Sequence, residues 1–315
     1  MFQEFSKGRF MDSKARSQTR LVTPKQGFKA NDGSMAAIPW PTGSTKVFAV
    51  VGNPIDHSLS PVLLNAAFST MELDAVYVAL RVTRQGIGDA VLGIRSLGLA
   101  GVSVTMPHKE SIIGQLDRVT DRAAILNSVN CVFWEDGHLV GDSTDGPALV
   151  ASLEAELGES VVDKSVMVIG TGGAARAIVL ALADAAVREI VVVGRREDAV
   201  ARVVGLGSPV SRGGTIDEVR EIEILVNATS VGMSGTVGEG HTPIPSELLG
   251  PRHFVYDIIY HPLMTPLMKD ALASGARVAN GIGMLVHQAA RAFWIWTGQE
   301  PPLDAMFHAA RSFDR

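Results

Sequence analysis

The stretch KSVMVIGTGGAARAIVLALADAAVREIVVVGRRE, residues 164–197, leaves this chain few choices of fold. Two short apolar runs flank an Ala-rich segment of good helix formers, and the first run ends in a cluster of glycines. Such runs are too short to span a membrane and too apolar for a solvated face, so they read as buried strands. A helix joining two buried strands makes a parallel βαβ unit. Gly170, Gly172 and Ala175 stand in G-x-G-x-x-A spacing at the turn, with Gly173 and Ala174 between them. Gly170 permits the tight turn, Gly172 admits the backbone to a pyrophosphate, and Ala175 lets helix and strand pack closely. The N–H groups at the start of the helix would hold the phosphates.

The end of the second strand separates the two dinucleotides. NAD-binding units usually carry an acidic residue there for the ribose hydroxyls. This chain has Arg195 and Arg196. Two guanidiniums suit a 2′-phosphate, which favours NADP. Glu197 and Asp198 follow directly and keep NAD open as the alternative.

Upstream the pattern again alternates. KVFAVVGNP reads as a strand and SPVLLNAAFSTM as a helix, with Ser60 as N-cap and Pro61 at its first position. AVYVALRV and GVSVT are further strands, separated by the amphipathic RQGIGDAVLGIRSLGLA. CVFWEDGHLVGDSTD reads as a hairpin turning at Asp-Gly. Downstream, DGPALVASLEAEL is a helix able to bridge two units, and strands are expected at IEILVNAT, HFVYDIIY and ARVAN. GMLVHQAARAFWIWTG and LDAMFHAAR close the chain as helices. The expected fold class is α/β with two domains: an N-terminal α/β substrate-binding domain and a Rossmann-type dinucleotide-binding domain, with the site in the cleft between them. The expected limits are 46–144 plus 281–315 for the first domain and 145–280 for the second.

Residues 1–46 carry eight Lys and Arg against three acids, a local charge of +5 that leaves −10 on the rest of the chain. An acidic body argues against nucleic acid as a partner. Residues 1–45 lack hydrophobic periodicity and are expected to be a disordered or atypical N-terminal extension, either a tail or a stretch ahead of a working start at Met11 or Met35. One cysteine, Cys131, excludes an intrachain disulfide and suits a reducing, cytoplasmic setting. No apolar run reaches the roughly 18 residues of a membrane span. His57 and His108 show no metal-ligand spacing, so no metal is expected. Trp294 and Trp296 read as packing residues. The partners expected are small molecules, with the chain a monomer or homodimer.

Eight short motifs stand in order: NPIDHSLSP, SVTMPHK, VNCV, GDSTDG, GTGGAARA, NATSVGM, YDIIYHPLMTPL and GMLVHQAARAFWIWTG. Together they resemble the shikimate dehydrogenase family over about residues 46–310. The resemblance implies NADPH-dependent reduction of 3-dehydroshikimate to shikimate, in chorismate and aromatic amino-acid biosynthesis. It implies a catalytic pair, Lys109 and Asp145. Ser58 and Ser60, with Tyr260, would hold the substrate carboxylate, and Thr105, Asn130 and Gln288 the ring hydroxyls. Thr229 and Ser230 would lie on the diphosphate side of the cofactor, and Met233 and Gly283 near the nicotinamide. Leu64, Ser103, Ser128 and Ser143 depart from the commoner family residues. Ser103 and Ser143 would alter hydrogen bonding around the substrate, which keeps a quinate/shikimate dehydrogenase using NAD as an alternative. A non-catalytic ligand-binding relative is a second alternative, opposed by the presence of both Lys109 and Asp145. The chemistry of the pair is consistent with the family reaction: reducing a ketone creates an alkoxide, and a lysine within about 3 Å can protonate or stabilise it.

Overall fold

The computed structural model describes residues 41–312. The expectation for the N-terminal extension therefore falls almost wholly outside the described residues. Two six-stranded sheets are formed one after the other along the chain.

The first sheet takes strands β1 (Lys46–Gly52), β2 (Ala75–Arg81), β3 (Gly101–Val104), β4 (Arg118–Val119), β5 (Cys131–Glu135) and β6 (His138–Asp142) in the order β2-β1-β3-β5-β6-β4. β1 pairs in parallel with β2 and β3, while β5 runs antiparallel to both β3 and β6. The β5–β6 hairpin turns at Asp136 and Gly137, both with positive φ, as the Asp-Gly signal requires. Alternation divides the strand residues between two cores. Phe48, Val50 and Tyr77 face helices α1 (Ser60–Thr70), α8 (Ile282–Thr297) and α9 (Leu303–Ser312). Ala49, Val51, Val102 and Val104 face α2 (Ile87–Leu97) and α3 (Asp121–Leu126). Trp296 is a packing residue: its indole N–H donates to the Val132 carbonyl at 3.0 Å, and its ring lies on Phe48 and Tyr77.

The second sheet is wholly parallel. Strands β7 (Ser165–Ile169), β8 (Glu189–Val193), β9 (Ser211–Gly213), β10 (Ile224–Asn227), β11 (Phe254–Asp257) and β12 (Arg277–Ala279) lie in the order β12-β11-β10-β7-β8-β9. This is the 3-2-1-4-5-6 order of a doubly wound dinucleotide fold, with its switch point between β7 and β10. Helices α4 (Asp145–Leu157), α5 (Gly173–Asp184) and α6 (Glu197–Leu206) cover one face, and α7 (Pro266–Ala273) helps to cover the other.

α4 supplies Leu149, Val150 and Leu153 to the second core, and it packs along α8, whose Val286, Ala289 and Phe293 belong to the first. The two helices join the halves. Their approach depends on a missing side chain, since a Cβ on Gly283 would stand 2.1 Å from the Ser152 hydroxyl oxygen; on another side of α4, a Cβ on Gly146 would stand 2.3 Å from the Ala177 carbonyl oxygen in α5.

Several elements differ from expectation. Ser60 is not the N-cap of α1. Leu59 takes that position in helical conformation, Ser60 is the first helical residue, and its hydroxyl caps nothing. Pro61 is tolerated anywhere in the first turn, so it does not fix the helix start to one residue. β4, α6, β9 and α7 are additional. β4 and β9 are two and three residues long and too short to show a period. α7 begins at Pro266 behind Thr265, whose hydroxyl accepts the Met268 N–H, so a proline that looks like a breaker is the helix start.

Candidate active site

The strand β3 ends one residue before Thr105, whose N–H still donates to the Val51 carbonyl at 3.0 Å. Pro107 then interrupts pairing and the chain turns. His108, fully buried, anchors the turn through Nε2, which donates to the Val82 carbonyl at 2.8 Å. The backbone of Lys109 is held from the other side, its carbonyl accepting the Val129 N–H at 2.8 Å. Lys109 therefore sits beside Asn130 rather than out along the surface.

Asp145 arrives by another route. It is the first residue of α4, where a carboxylate is favoured by the helix dipole. Lys109 Nζ donates to its Oδ2 at 2.5 Å, and Asn130 Nδ2 donates to its Oδ1 at 2.7 Å. Asn130 is itself fixed: its Oδ1 accepts the Thr144 N–H at 2.7 Å and its Nδ2 also reaches the Thr144 hydroxyl at 2.9 Å. The Asp145 side chain is 11% exposed and that of Lys109 30%, so the pair is shielded but open on one side.

That side faces a cavity of about 250 Å³. Ser58, Ser60, Thr105, Asn130, Tyr260 and Gln288 line it together with Lys109 and Asp145. They come from the loop before α1 and its first residue, the turn after β3, the residue before β5, the start of α4, the segment after β11, and α8. Ser103 and His57 also line it. The Ser58 hydroxyl accepts the Ser60 N–H at 3.3 Å, which draws the two serines together. Burial pushes the Tyr260 phenol's pKa up, so it stays a neutral hydrogen-bond donor. Such a pocket is small and rich in hydroxyls, and suits one polar ring rather than an extended apolar ligand.

A second cavity, of about 460 Å³, lies over the glycine turn. Thr171, Gly172 and Gly173 form one wall and Arg196 and Arg202 another. Gly170 has φ +124°, and a Cβ there would stand 2.7 Å from the Ala228 carbonyl oxygen. Gly172 precedes α5 with open space where its side chain would be. Ala175 is fully buried against the sheet and Ala174 half-buried. Arg195 is exposed at the end of β8 and lines neither cavity. Asp198 pairs with Arg202 at 2.9 Å, and that guanidinium holds its carboxyl below the usual range.

Thr229, Ser230 and Met233 occupy the loop after β10, outside the lining of both cavities. Gly283 faces Ser152 and the Tyr256 hydroxyl, while its neighbours Gly281 and Met284 line the smaller cavity. One contact was not anticipated. Arg176, in the first turn of α5, donates to Glu110 at 2.7 Å, and both line the larger cavity. The signals were a cation at a helix N-terminus and an acid directly after Lys109. Among the described residues, no cluster of three His, Cys, Asp or Glu could hold a metal, and no helix is long and apolar enough to cross a membrane.

Comparison with known proteins agrees with this layout. Residues 50–132 match the model of the shikimate dehydrogenase substrate-binding domain, and residues 281–311 that of the shikimate 5′-dehydrogenase C-terminal domain. A shikimate dehydrogenase (NADP⁺) of Geobacter metallireducens is 42% identical over 272 residues, covering 83% of this chain and 94% of that protein. The enzyme of the same name from Geobacillus kaustophilus is 41% identical, covering 83% and 96%. The crystal structure of shikimate 5-dehydrogenase from Thermus thermophilus, in complex with NADP(H) and shikimate, superposes with a TM-score of 0.79 at 32% identity, covering 85% of this chain and 99% of that one. With the doubly wound sheet, the glycine turn and the Lys109–Asp145 pair, this likeness shows that the chain belongs to the shikimate dehydrogenase family.

Proposed function

We propose that this chain catalyses the reversible, NADPH-dependent reduction of 3-dehydroshikimate to shikimate. The observation that carries the reading is the 2.5 Å contact between Lys109 and Asp145 at the wall of a hydroxyl-lined cavity. Residues 46–144 with 281–315 form the proposed substrate domain, and 145–280 the nucleotide domain.

NADPH, when bound, supplies the hydride. The cradle fits it: Gly172 leaves the α5 N-terminus open for a diphosphate, and Arg196 offers a guanidinium to a 2′-phosphate. Asp198, the acid that would favour NAD, is engaged by Arg202. Thr229, Ser230, Met233 and Gly283 remain the proposed contacts further along the cofactor.

The chain's own groups then handle the proton. Both oxygens of Asp145 already accept hydrogen bonds, one from Asn130 and one from Lys109. Lys109 carries three N–H donors and gives one to Asp145, so it retains two to give. We assign Lys109 Nζ as the donor to the developing alkoxide, and Asp145 as the group that holds the ammonium in place. Ser58, Ser60 and Tyr260 would bind the carboxylate by donating hydrogen bonds, and Thr105, Asn130 and Gln288 would orient the ring. The single cysteine is buried and suits the cytoplasm as the setting.

Steady-state assays with 3-dehydroshikimate and either reduced cofactor, and with shikimate or quinate in reverse, test this. The expected result is the highest kcat/KM for NADPH with 3-dehydroshikimate. Preference for quinate and NAD, or binding of shikimate without turnover, would overturn it.

A further inference from the structure

Asp257 is fully buried at the end of β11, yet every partner the structure gives its carboxylate is uncharged. Burial pushes its pKa up. A carboxylate in such a place needs a compensating reason, since an unsatisfied or unpaired buried charge is costly. All three of its partners are donors. Oδ1 accepts from Asn227 Nδ2 at 3.1 Å and from the Ile259 N–H at 3.1 Å, and Oδ2 accepts from the Thr265 hydroxyl at 2.7 Å.

Those donors lead in different directions. Asn227 is the register partner of Asp257 on β10. Its Oδ1 accepts from the Thr229 N–H at 3.1 Å and the Thr229 hydroxyl at 2.7 Å, and its Nδ2 reaches the Val231 carbonyl at 3.3 Å. It thus shapes the loop that carries the proposed cofactor contacts Thr229 to Met233. Ile259 lies between Ile258 and Tyr260, both of which line the smaller cavity. The Ile259 carbonyl in turn accepts the Gly281 N–H at 3.0 Å, at the start of α8. Thr265 caps α7.

We propose that Asp257 is a positioning residue shared by both ligand sites, one buried carboxylate setting the cofactor-side loop 229–233 and the substrate-side segment 258–260 together. This rests on the functional reading above, because it takes those two segments as ligand contacts. The carboxylate is chemically specific. An amide at 257 has one acceptor oxygen: with that oxygen toward Asn227 and Ile259, its N–H₂ faces the Thr265 hydroxyl, which must turn from donor to acceptor while it also accepts the Met268 N–H.

The test is the KM for shikimate and for NADP⁺, with kcat, in the wild type, Asp257→Asn, Thr265→Val and Thr265→Ser. Both KM values are expected to rise severalfold in Asp257→Asn, with kcat changed less. Thr265, which lies beside Gly232 but is not itself a proposed ligand contact, gives the one hydrogen bond to Oδ2 among the described residues, and Thr265→Val removes it. That variant is expected to raise both KM values in parallel, and Thr265→Ser to restore them. If Asp257→Asn does not fold, the threonine pair decides alone. A folded variant in which only the melting temperature falls, or only one KM moves, would overturn the inference. Loss of turnover in the wild type would instead sink the functional reading, so the two failures are told apart.

Discussion

Replacing Lys109 by alanine tests its proposed role in proton transfer. Lys109 Nζ lies 2.5 Å from Asp145, on a turn held by His108 and Val129 rather than by the lysine side chain itself. Removing the side chain therefore leaves the turn anchored. Asp145 is not stranded either, since it keeps Asn130 and the N-terminus of α4. Positioned proton transfer contributes about 10²–10⁴-fold in rate, or about 3–6 kcal/mol of barrier at about 1.4 kcal/mol per tenfold. Lys109→Ala is expected to lose that factor in kcat, with NADPH affinity within about twofold, because Lys109 lines the smaller cavity and Arg196 the larger. The melting temperature should hardly move. The assay is steady-state oxidation of NADPH by 3-dehydroshikimate, with cofactor affinity by fluorescence titration. Asp145→Asn should lower kcat as well, and the double variant should be little worse than the poorer single, since the two act as one unit. Retention of more than about a tenth of wild-type kcat in Lys109→Ala, well short of the expected loss, would refute the assignment.

Three further outcomes follow from other parts of the molecule. Arg196→Gln should raise KM for NADPH about tenfold while leaving that for NADH nearly unchanged, as expected for loss of one exposed charge-assisted contact; equal effects on both cofactors would remove Arg196 from the 2′-phosphate. Gly146→Val should destabilise by about 1–3 kcal/mol or more, read as a lower urea midpoint, because its Cβ would stand 2.3 Å from the Ala177 carbonyl oxygen. Acid should weaken the fold through His253 and His287, whose pKa values burial lowers below the ordinary 6.5. Neutral His253 donates from Nε2 to the Val219 carbonyl and accepts the Gly250 N–H at Nδ1, an arrangement that protonation destroys. Stability from these rings is complete above pH 6.5 and falls below it, by up to about 1.4 kcal/mol per pH unit for each group; a urea midpoint flat from pH 7 down to 5 in the wild type, and no flatter in His253→Gln, would count against it.

What was legible in the chain was what repeats locally. The run from Lys164 to Glu197 shows its period, its glycines and its strand ends within some thirty residues, and the sheet order follows from such units. The motifs carrying Ser58, Lys109, Asn130 and Asp145 lie far apart in sequence, and a likeness to a family, not a period, drew them together. Asp257 carries no local signal in the sequence, because its three donors are reached across two strands and a loop. The pairing of Glu110 with Arg176 likewise spans distant parts of the chain. Ser60 was misplaced by one residue because a proline in the first turn fits two registers. α6 shows only a weak period, two buried residues, Ala199 and Val203, at i, i+4 spacing in a short helix with a charged first turn.

The placement of the proposed proton-handling pair has a consequence for the chain as a whole. Lys109 stands on a turn of the first sheet, and Asp145 opens a helix whose apolar residues belong to the second core. Neither half owns the chemistry. A polypeptide cut after Thr144 would yield two pieces, one with the amine and one with the carboxylate, and turnover would report their reunion. With the roles proposed for Lys109 and Asp145, activity is a direct readout of correct assembly between the two halves, and a misdocked chain would be silent even with both sheets fully formed.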